Sequence, residues 1–425
     1  MKVSVFPSPL SGSVTAPASK SCMQRACAAA LIKGGKTIIH NYGISNDDNA
    51  ALDIIKKLGA TFEISNGNLM ITSNGVFPKD EIINCGESGL SVRMFTSIAA
   101  LSTLPLNITG TGSLLERPMR FFNEIFPQLN VNIKNNEGKL PFKIEGPLIP
   151  KDIIIDGSLS SQFLTGLLFA YSASNAKDVT LTVTNLKSKP YIDLTLDILN
   201  KFGMKVPINA NYESFYFDST TIYSSEISCD YAIEGDWSGA AFLLVAGAIA
   251  GPIKVKGLDV LSTQADKEIL SVLKECGCAL EISDTDIYVG PGLLKPFNFD
   301  ATECPDLFPP LVTLATYCKG ISVIKGISRL THKESNRALT LKEEFEKLGV
   351  TIDLINDDMI IHGGGKINGA IVHSHHDHRI AMACAAAALK AENEIEILDA
   401  DAINKSYPNF YEHLELLGAK IKIDR

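Results

Sequence analysis

Basic and hydroxyl side chains stand at the starts of several segments that have the composition of buried helices. Lys20, Ser21 and Arg25 open one such segment, and Arg93 lies early in another. A positive charge at a helix N-terminus costs roughly 0.3 to 1 kcal/mol, because the exposed N–H groups there already carry a partial positive charge. A bound anion would reverse this penalty, and serine hydroxyls would add hydrogen bonds to it. The pattern therefore predicts anion binding.

Polar groups recur at helix starts along the whole chain. Starts of buried helices also carry Ser160, Ser161 and Gln162, then Asp236, Asp306, and His378 with Arg379; starts of amphipathic helices carry Asp47 and Asp48, Glu116 and Arg117, Ser188 to Tyr191, Thr263 to Asp266, His332 to Arg337, and Lys405. Several of these starts carry a cation where the helix dipole makes a positive charge unfavourable. This repetition indicates one shared explanation, the binding of anionic ligands. Taken singly, Ser160 and Ser188 could be ordinary N-caps.

Two carboxylates share their segments with basic residues. Asp306 follows a proline at a buried-helix start, and Glu334 lies in HKESNR. There, Lys333 and Arg337 are four residues apart, and we expect them to share one helix face. Glu334 could be a salt-bridged acid in a first helical turn. Alternatively, the two carboxylates could be a general base and a general acid, each tuned by nearby positive charge. The residues alone leave both alternatives open.

A run of histidines, His373, His375, His376 and His378, raises the possibility of a zinc site. Its spacing fits no common zinc signature, no cysteine or acidic triad completes it, and the adjacent Arg379 would repel a cation. We therefore expect no metal here. A loop that places His378 beside an anion is sufficient to explain the run.

The elements that would position these residues repeat about six times, roughly every seventy residues. Each repeat ends an amphipathic helix at a residue that tolerates the left-handed conformation. These residues are Gly59, Asn130, Gly203, Gly277, Gly349 and Gly418. The predicted unit is strand, buried helix, strand, amphipathic helix and two strands. The sequence therefore predicts an α/β fold of two domains, each with three units whose buried helices pack together inside three sheets.

Composition narrows the class of protein. The chain has 425 residues, 45% hydrophobic and 20% charged, which is typical of a soluble globular protein. Its first segment lacks the apolar stretch of a signal peptide, and the longest apolar run, Ala240 to Ala250, is too short to span a bilayer. We therefore expect a cytoplasmic protein with reduced cysteines. A net charge of −9 argues against a nucleic-acid partner, whereas a small anion remains possible.

Ten motifs run nearly from end to end: ASKSCMQRA, GLSVR, ERPM, SSQFLTGLL, SKPYID, EGDWSGAA, PDLFPPL, RLTHKESNR, DHRIAMA and NKSYPNFY. Together they are highly specific, and the chain resembles the enolpyruvyl transferases. The resemblance implies two domains, each of three βαβαββ units with buried helices and outer sheets, and a cleft between the domains. The expected domains are residues 1–18 with 234–425, and residues 19–233.

The resemblance also implies a reaction. We expect transfer of the enolpyruvyl (carboxyvinyl) group of phosphoenolpyruvate to the 5-hydroxyl of shikimate 3-phosphate, with release of phosphate, in the shikimate pathway of chorismate and aromatic amino acid biosynthesis. Both substrates are polyanions, which agrees with cationic helix starts in a negatively charged chain. No metal or organic cofactor is needed, no membrane or nucleic-acid partner is expected, and the chain is predicted to be a monomer.

Roles carry over by resemblance to the matching positions. The shikimate 3-phosphate contacts are expected to be Lys20, Ser21, Arg25, Ser160, Ser161, Gln162, Ser188, Tyr191, Asp306 and Lys333; the phosphoenolpyruvate contacts are expected to be Lys20, Gly89, Arg93, Arg117, Gln162, Arg337, Arg379 and Lys405. Asp306 resembles the group that removes the 5-hydroxyl proton, with Lys20 assisting. Glu334 resembles the acid that protonates the methylene carbon.

Some positions depart from the family's pattern. Many members have Asn-x-Gly-Thr before the motif arginine, whereas this chain has Glu87 at the first position and Leu90 at the last. The threonine hydroxyl is absent, and Glu87 adds negative charge near an expected phosphate site, which bears on the response to the phosphoenolpyruvate mimic glyphosate. Arg329 stands where some members use asparagine for the shikimate phosphate.

Two other functions could use a sixfold repeat of this kind. Members that use UDP-N-acetylglucosamine as acceptor carry a reactive cysteine five residues before an Arg-Pro pair, but here that position is Gly112, ahead of Arg117. A non-enzymatic ring of six repeats, such as a DNA sliding clamp, would need Lys and Arg along its helix faces. The basic residues of this chain lie at helix starts instead.

The expected basic residues come from both halves of the chain, so we expect a cleft that closes on its substrates. Small-angle scattering should therefore show a smaller radius of gyration when shikimate 3-phosphate is added than for the protein alone. An unchanged radius at a saturating ligand concentration would argue against closure.

Overall fold

The structure is a computed structural model that describes residues 1–220, 228–331 and 333–424. His332, expected at an amphipathic-helix start, and Arg425, at the end of an expected domain, lie outside the described residues. The chain divides into two compact units. We call Met1–Ser19 with Glu234–Arg425 the terminal unit, and Lys20–Ile233 the inserted unit.

The inserted unit contains three repeats. Its helices are α1 (Lys20–Lys33), α2 (Asn46–Lys57), α3 (Gly89–Ala99), α4 (Arg120–Ile125), α5 (Ser161–Ala173) and α6 (Pro190–Lys201). Its strands are β3 (Gly35–His40), β4 (Thr61–Ser65), β5 (Asn68–Ser73), β6 (Ile82–Asn84), β7 (Leu106–Thr109), β8 (Asn132–Asn136), β9 (Lys139–Glu145), β10 (Ile153–Asp156), β11 (Val179–Thr184), β12 (Ile208–Ala210), β13 (Ser214–Phe217) and β14 (Ser228–Ala232).

The terminal unit has the same pattern. Its helices are α7 (Trp237–Ala250), α8 (Ile269–Glu275), α9 (Phe308–Tyr317), α10 (Arg337–Lys347), α11 (His378–Ala388) and α12 (Phe410–Leu416). Its strands are β1 (Lys2–Phe6), β2 (Ser13–Thr15), β15 (Ile253–Lys256), β16 (Ala279–Ile282), β17 (Asp286–Gly290), β18 (Asn298–Asp300), β19 (Gly320–Lys325), β20 (Thr351–Ile355), β21 (Asp358–Gly363), β22 (Ile371–His373), β23 (Ile395–Leu398) and β24 (Lys420–Asp424).

Each described sheet has four strands and one shared topology. In the order β6-β7-β9-β8, β6 runs parallel to β7, and both remaining pairs are antiparallel. Three sheets are completed by a strand that is distant in sequence. In the inserted unit β14 joins β3, while in the terminal unit β2 joins β15 and β1 lies between β23 and β24. The recurrence of one topology confirms the predicted α/β repeat.

The six predicted helix-ending residues adopt the left-handed conformation. Their φ angles are +119° at Gly59, +63° at Asn130, +64° at Gly203, +82° at Gly277, +90° at Gly349 and +103° at Gly418. A residue with a Cβ atom is strained in this region, which explains why five of the six are glycine and the other asparagine.

The Ala-rich helices are buried, as their uniform apolarity predicts. Every residue of α3 is buried, and α3 packs against α5 in the inserted unit. The two helices approach closely at Gly166, where a Cβ atom would lie 2.7 Å from the carbonyl oxygen of Arg93. In the terminal unit α9 and α11 are also joined by hydrogen bonds, from Thr313 Oγ1 to the carbonyl of Ala383 (3.1 Å) and from the Tyr317 hydroxyl to that of Ala387 (2.6 Å).

Some expected helix starts are wrong. Arg117 directly follows a 3₁₀ turn at Gly112–Glu116, and Lys405 is the last residue of another at Ala400–Lys405, so neither side chain lies at the N-terminus of an α-helix. Since α10 begins at Arg337, Lys333 and Glu334 precede the helix and do not share a helix face with Arg337. In the first two cases a short 3₁₀ turn precedes the helix. Its residues form i→i+3 hydrogen bonds instead of α-type bonds, so the α-helix begins later in the chain.

Asp48 predicts a pH-dependent stability of the inserted unit. Its carboxylate closes a capping box with Ser45 at the start of α2, and burial raises its pKa to about 7. The folded protein therefore holds a proton that the unfolded chain releases near pH 4, so stability should fall as pH rises from about 4 to 7 and level off above. We expect Asp48→Asn to remove a loss on the order of 4 kcal/mol, at about 1.4 kcal/mol per pKa unit.

Urea unfolding of both proteins between pH 4.5 and 8.5 measures this effect. The difference between the variant and the wild type should grow in favour of the variant as pH rises. A difference that does not change with pH would show that Asp48 is ionised in the folded protein. Exposed Asp53, on the same helix, supplies the matched Asp53→Asn control.

Candidate active site

Lys20, the first residue of α1, is held by an acid from a neighbouring helix of the inserted unit. Its Nζ donates to Asp47 Oδ2 over 2.9 Å, and both side chains are mostly buried. The sequence placed Asp47 at a helix start but did not assign it a role. Because the ion pair fixes one orientation of the ammonium group, Asp47 determines where Lys20 presents its charge.

Arg25 is a buried cation that is held by uncharged groups. Its guanidinium donates from Nε to Thr195 Oγ1 (3.0 Å), from Nη1 to the carbonyl of Ser21 (2.9 Å) and from Nη2 to that of Tyr191 (3.3 Å). No carboxylate among the described residues forms an ion pair with it, and burial lowers its pKa to about 10. A buried cation without a counter-ion favours an anionic ligand.

Two further guanidinium groups of the inserted unit converge on Gly89, the first residue of α3. A Cβ atom at Gly89 would lie 2.6 Å from Arg117 Nη1 and 3.3 Å from Arg93 Nη1. Arg93 also donates to Gln162 Oε1 over 2.8 Å, and its guanidinium lies 5.4 Å from the centre of the Phe163 ring. The structure therefore brings together four predicted residues, and a Cβ atom at Gly89 would displace the Arg117 guanidinium from this position.

Hydroxyl groups lie at the starts of two more helices of the inserted unit. Ser160 is the N-cap of α5, and its Oγ accepts from the backbone N–H of Gln162 (3.3 Å), so the ordinary capping role is present. Ser161 is the first residue of α5 and is buried. Ser188 has a φ of +57° two residues before Pro190, the first residue of α6, and Tyr191 is the second residue of that helix.

Glu87 packs against the loop that carries Arg117. A Cβ atom at Gly112, whose φ is +56°, would lie 2.4 Å from Glu87 Oε2. The departure from the family pattern at Glu87 is therefore accommodated by a glycine in the facing loop. The left-handed backbone conformation disfavours a cysteine at Gly112.

In the terminal unit, three cations surround Asp306. Its Oδ1 accepts from Lys333 Nζ (3.1 Å) and Arg337 Nη1 (2.7 Å), and its Oδ2 accepts from Arg379 Nη2 (3.2 Å). Burial alone would raise the pKa of Asp306, but the positive charges of Arg379, Lys333 and Arg337 together hold it well below its usual range. Asp306 is therefore ionised near neutral pH and, with all three cations in place, is a weak base.

Arg337 is the centre of this network and is almost fully buried. Besides its bond to Asp306, it donates to Glu334 Oε2 and forms two bonds to Asp377, from Nε to Oδ2 (2.8 Å) and from Nη2 to Oδ1 (3.3 Å). Its pKa is raised because the negative charges of Asp377, Glu334 and Asp306 outweigh the cost of burial. Glu334 is thus held by the same guanidinium as Asp306.

Asp377 connects this network to helix α11. It is the N-cap of α11, where its Oδ1 accepts from the backbone N–H of Arg379 (3.0 Å), and its Oδ2 also accepts from Ser335 Oγ (3.1 Å). One fully buried carboxylate therefore orients Arg337 and fixes the helix turn that carries Arg379. The sequence did not assign it a role, although an aspartate directly before an apolar helix is the usual signal of an N-cap.

Lys405 approaches the histidine loop that precedes α11. Its Nζ donates to the carbonyl of His376 over 2.6 Å. His373 and His376 both lie within 3.3 Å of Asp399 Oδ2, so they are paired with a carboxylate. The loop therefore positions a predicted cation of the site through its backbone.

Among the described residues, the side chains that could hold a metal are Glu343, Glu344 and His375. Both oxygens of Glu344 accept from Lys347 Nζ at 2.8 Å. An ammonium group thus already neutralises the buried carboxylate of this cluster, and we assign it no metal.

Two ionisable groups modify the surroundings of Asp306. Arg329 has a pKa that is lowered by burial, against the opposing negative charges of Glu303 and Asp306. Burial, followed by the charge of Asp306, raises the pKa of Asp266 to about 6, and Asp266 accepts a hydrogen bond from Ser238 Oγ. From the sequence, Asp266 could be placed only at a helix start, because its burial depends on the tertiary fold.

Comparison with known proteins identifies the family. The family model of EPSP synthase (3-phosphoshikimate 1-carboxyvinyltransferase) matches residues 6–414. A 3-phosphoshikimate 1-carboxyvinyltransferase of Clostridium kluyveri is 37% identical over 420 residues, covering 99% of this chain and 98% of that protein. One of Methanocorpusculum labreanum is 35% identical over 427 residues, with coverage of 99% and 100%.

Solved structures show the same fold. EPSP synthase of Acinetobacter baumannii has a TM-score of 0.82 at 24% identity, with full coverage of both chains. The enolpyruvyl transferase NikO of Streptomyces tendae has a TM-score of 0.77 at 16% identity, covering 99% of this chain and 98% of that one. None of the helices in the described ranges has the length and apolarity needed to cross a membrane. With a family model and full-length relatives in agreement, the chain belongs to the EPSP synthase family of 3-phosphoshikimate 1-carboxyvinyltransferases.

Proposed function

We propose that this protein transfers the carboxyvinyl group of phosphoenolpyruvate to the 5-hydroxyl of shikimate 3-phosphate and releases inorganic phosphate. The observation that carries the proposal is the convergence of Arg93 and Arg117 on Gly89. Two guanidinium groups directed at one backbone position form a site for a doubly charged oxyanion such as a phosphate. Membership of the EPSP synthase family supplies the substrates.

Phosphoenolpyruvate would be bound by cations of both units. In the inserted unit these are Lys20, Arg93 and Arg117, with Gly89 and Gln162 beside them; in the terminal unit they are Arg337, Arg379 and Lys405. Charge-assisted hydrogen bonds from these groups would stabilise the leaving phosphate as negative charge develops on it. Since the substrates must meet for the reaction to occur, we propose that both units act on the same pair of substrates.

Shikimate 3-phosphate would be bound at helix starts of the inserted unit. The proposed contacts there are Lys20, Ser21, Arg25, Ser160, Ser161, Gln162, Ser188 and Tyr191, to which the terminal unit adds Asp306 and Lys333. The buried Arg25, which has no carboxylate partner among the described residues, supports this assignment. The backbone N–H groups at the start of α5 offer further donors to an anion.

The proposed chemistry is an addition followed by an elimination. Glu334 gives a proton to the methylene carbon while the neighbouring carbon, which develops positive charge, is attacked by the 5-hydroxyl oxygen. Asp306, assisted by Lys20, takes the hydroxyl proton. The tetrahedral intermediate then returns a proton from its methyl group to Glu334 and expels phosphate, which takes up the proton that Asp306 removed from the 5-hydroxyl.

The geometry also explains how Asp306 can act as a base. In the structure three cations, Arg379, Lys333 and Arg337, lower its pKa, and all three are also proposed substrate contacts. Anionic substrates that draw these cations away would raise the pKa of Asp306. Substrate binding would therefore increase the basicity of the carboxylate when a proton must be removed.

The nearest alternative activity within this fold uses UDP-N-acetylglucosamine as acceptor. Its reactive cysteine would correspond to Gly112, where the left-handed backbone, with a φ of +56°, disfavours any residue with a side chain. The ring scaffold of six repeats is not favoured either, because the family consists of enzymes. A monomeric state and a cytoplasmic location stay predictions from the sequence.

A phosphate-release assay tests the proposed function. The purified protein is incubated with phosphoenolpyruvate and either shikimate 3-phosphate or UDP-N-acetylglucosamine, and free phosphate is measured. We expect release only with shikimate 3-phosphate. Release only with the sugar nucleotide would overturn the proposal.

A further inference from the structure

A buried pair of threonines joins three helices of the inserted unit directly beneath the proposed substrate contacts. Thr165 on α5 and Thr195 on α6 are both fully buried, and their hydroxyl oxygens are 3.1 Å apart. Thr195 Oγ1 also lies 3.0 Å from Nε of Arg25 on α1. The hydroxyl of Thr195 is therefore the point at which α1, α5 and α6 meet through hydrogen bonds.

The three residues occupy equivalent places on their helices. Arg25 follows Ser21 by four residues, Thr165 follows Ser161, and Thr195 follows Tyr191. Residues four apart lie on one face of a helix, so each member of the cluster is one turn deeper than a proposed shikimate 3-phosphate contact. A displacement of the cluster would therefore also displace all three contacts, Ser21, Ser161 and Tyr191.

The hydrogen bonds of Thr195 are saturated. A hydroxyl has one proton and two lone pairs. The proton of Thr195 is directed to the carbonyl of Tyr191 (2.9 Å), which leaves its lone pairs to accept from Arg25 Nε and from the Thr165 hydroxyl. A hydrogen bond from a threonine hydroxyl to the carbonyl four residues earlier slightly destabilises a helix. The Thr195 hydroxyl therefore does not stabilise α6 itself.

The same bond determines the plane of the Arg25 guanidinium. Of its five N–H groups, one on Nε, one on Nη1 and one on Nη2 are used within the described residues. One N–H on each terminal nitrogen remains for a ligand, which is the arrangement that binds a carboxylate or phosphate with two bonds. Because the guanidinium is planar, fixing Nε fixes the direction of both remaining donors.

We propose that Thr195 is a positioning residue, which acts through Arg25 to set the affinity of the inserted unit for shikimate 3-phosphate. This inference rests on the proposed function. Thr195 does not touch the substrate in this scheme; its hydroxyl orients the cation that does. Thr165 has a lesser part, since its hydroxyl contacts Thr195 and not Arg25.

Calorimetric titration of the full-length protein with shikimate 3-phosphate tests the proposal. Thr195→Val keeps the shape of the side chain but removes the acceptor of two buried donors, so we expect the affinity to fall about 10- to 100-fold. Thr195→Ser, which keeps the hydroxyl, should stay within about threefold of the wild type. Thr37→Val is the matched control, because Thr37 is a buried threonine of the same unit whose hydroxyl has no partner among the described residues.

Steady-state kinetics separate positioning from a general loss of structure. In Thr195→Val we expect the KM for shikimate 3-phosphate to rise about as much as the dissociation constant, while the KM for phosphoenolpyruvate and kcat change less than about threefold. Equal losses in all three constants would overturn the proposal.

A double-mutant cycle that combines the Thr195 variant with Arg25→Lys measures whether the two residues act together. If Thr195→Val folds poorly, Thr195→Ala replaces it in the cycle. If Thr195 acts through Arg25, removing its hydroxyl should change affinity little in the Arg25→Lys background. Additive losses would refute the inference. A wild-type protein that fails to bind shikimate 3-phosphate would instead refute the proposed function, so the two failures can be distinguished.

Discussion

Glu334→Gln should lower turnover by about 10² to 10⁴ while leaving the fold intact. Glutamine keeps an oxygen that can accept from Arg337, so the contacts of the network are preserved. The amide cannot give a proton to the methylene carbon of phosphoenolpyruvate. The loss should therefore appear in kcat and be small in the dissociation constants of both substrates.

Rapid-quench measurement of a single turnover gives the rate of the chemical step directly. The matched control is Glu346→Gln. Glu346 lies in α10 and is also ion-paired, with Lys342 at 2.6 Å, but it is exposed. Its turnover should equal that of the wild type. A Glu334→Gln enzyme that turns over within twofold of the wild type would remove Glu334 from the role of acid.

The second large effect is expected for Asp306→Asn, which should also lower turnover by about 10² to 10⁴. Asparagine is nearly isosteric but cannot take the proton of the 5-hydroxyl. It also removes the negative charge that Lys333, Arg337 and Arg379 share. These cations would be freer to bind substrate anions, so the dissociation constant of phosphoenolpyruvate should stay the same or fall while kcat drops.

The pH dependence provides a second measurement on Asp306. Because its pKa lies well below the usual value near 4, the free enzyme should not lose activity through Asp306 between pH 7 and 5. The depressed pKa also means that the carboxylate stabilises the fold above about pH 4 and that this contribution is lost on further acidification. Exposed Asp300, ion-paired with Lys325 at 3.5 Å, gives the control Asp300→Asn.

Two outcomes would contradict the assignment of Asp306. One is an Asp306→Asn enzyme with turnover within threefold of the wild type. The other is a large rise in the dissociation constant of phosphoenolpyruvate with unchanged kcat, which would make Asp306 a structural partner of the cations. Urea unfolding of the variant separates either result from a loss of folded protein.

The repeat architecture could be predicted from sequence because it depends on local signals. Helix-ending residues such as Gly59 and Asn130, and the uniform apolarity of segments such as α3, are properties of neighbouring residues. Membership of the EPSP synthase family confirms both the predicted fold class and the predicted activity. The roles of individual site residues stay predictions.

The hydrogen-bond partners could not be predicted in the same way. Asp377 contacts Arg337 across 40 residues of sequence, and Thr195 contacts Arg25 across 170. Such pairs are determined by how helices pack, which a local pattern does not encode. The helix starts predicted at Arg117 and Lys405 were wrong for a local reason. A 3₁₀ turn and the first turn of an α-helix have similar sequence signals.

The pairing of strands from distant parts of the chain also affects the order in which the sheets can form during synthesis. All strands of the inserted unit lie between residues 35 and 232, so this unit can complete its sheets while the ribosome is still translating the rest. In contrast, β1 is made well before β23 and β24, the strands with which it pairs. At roughly 5–20 residues per second, the buried valines of β1 wait on the order of tens of seconds for their partner strands. The nascent N-terminal segment therefore stays without its sheet partners long after the inserted unit has all of its strands.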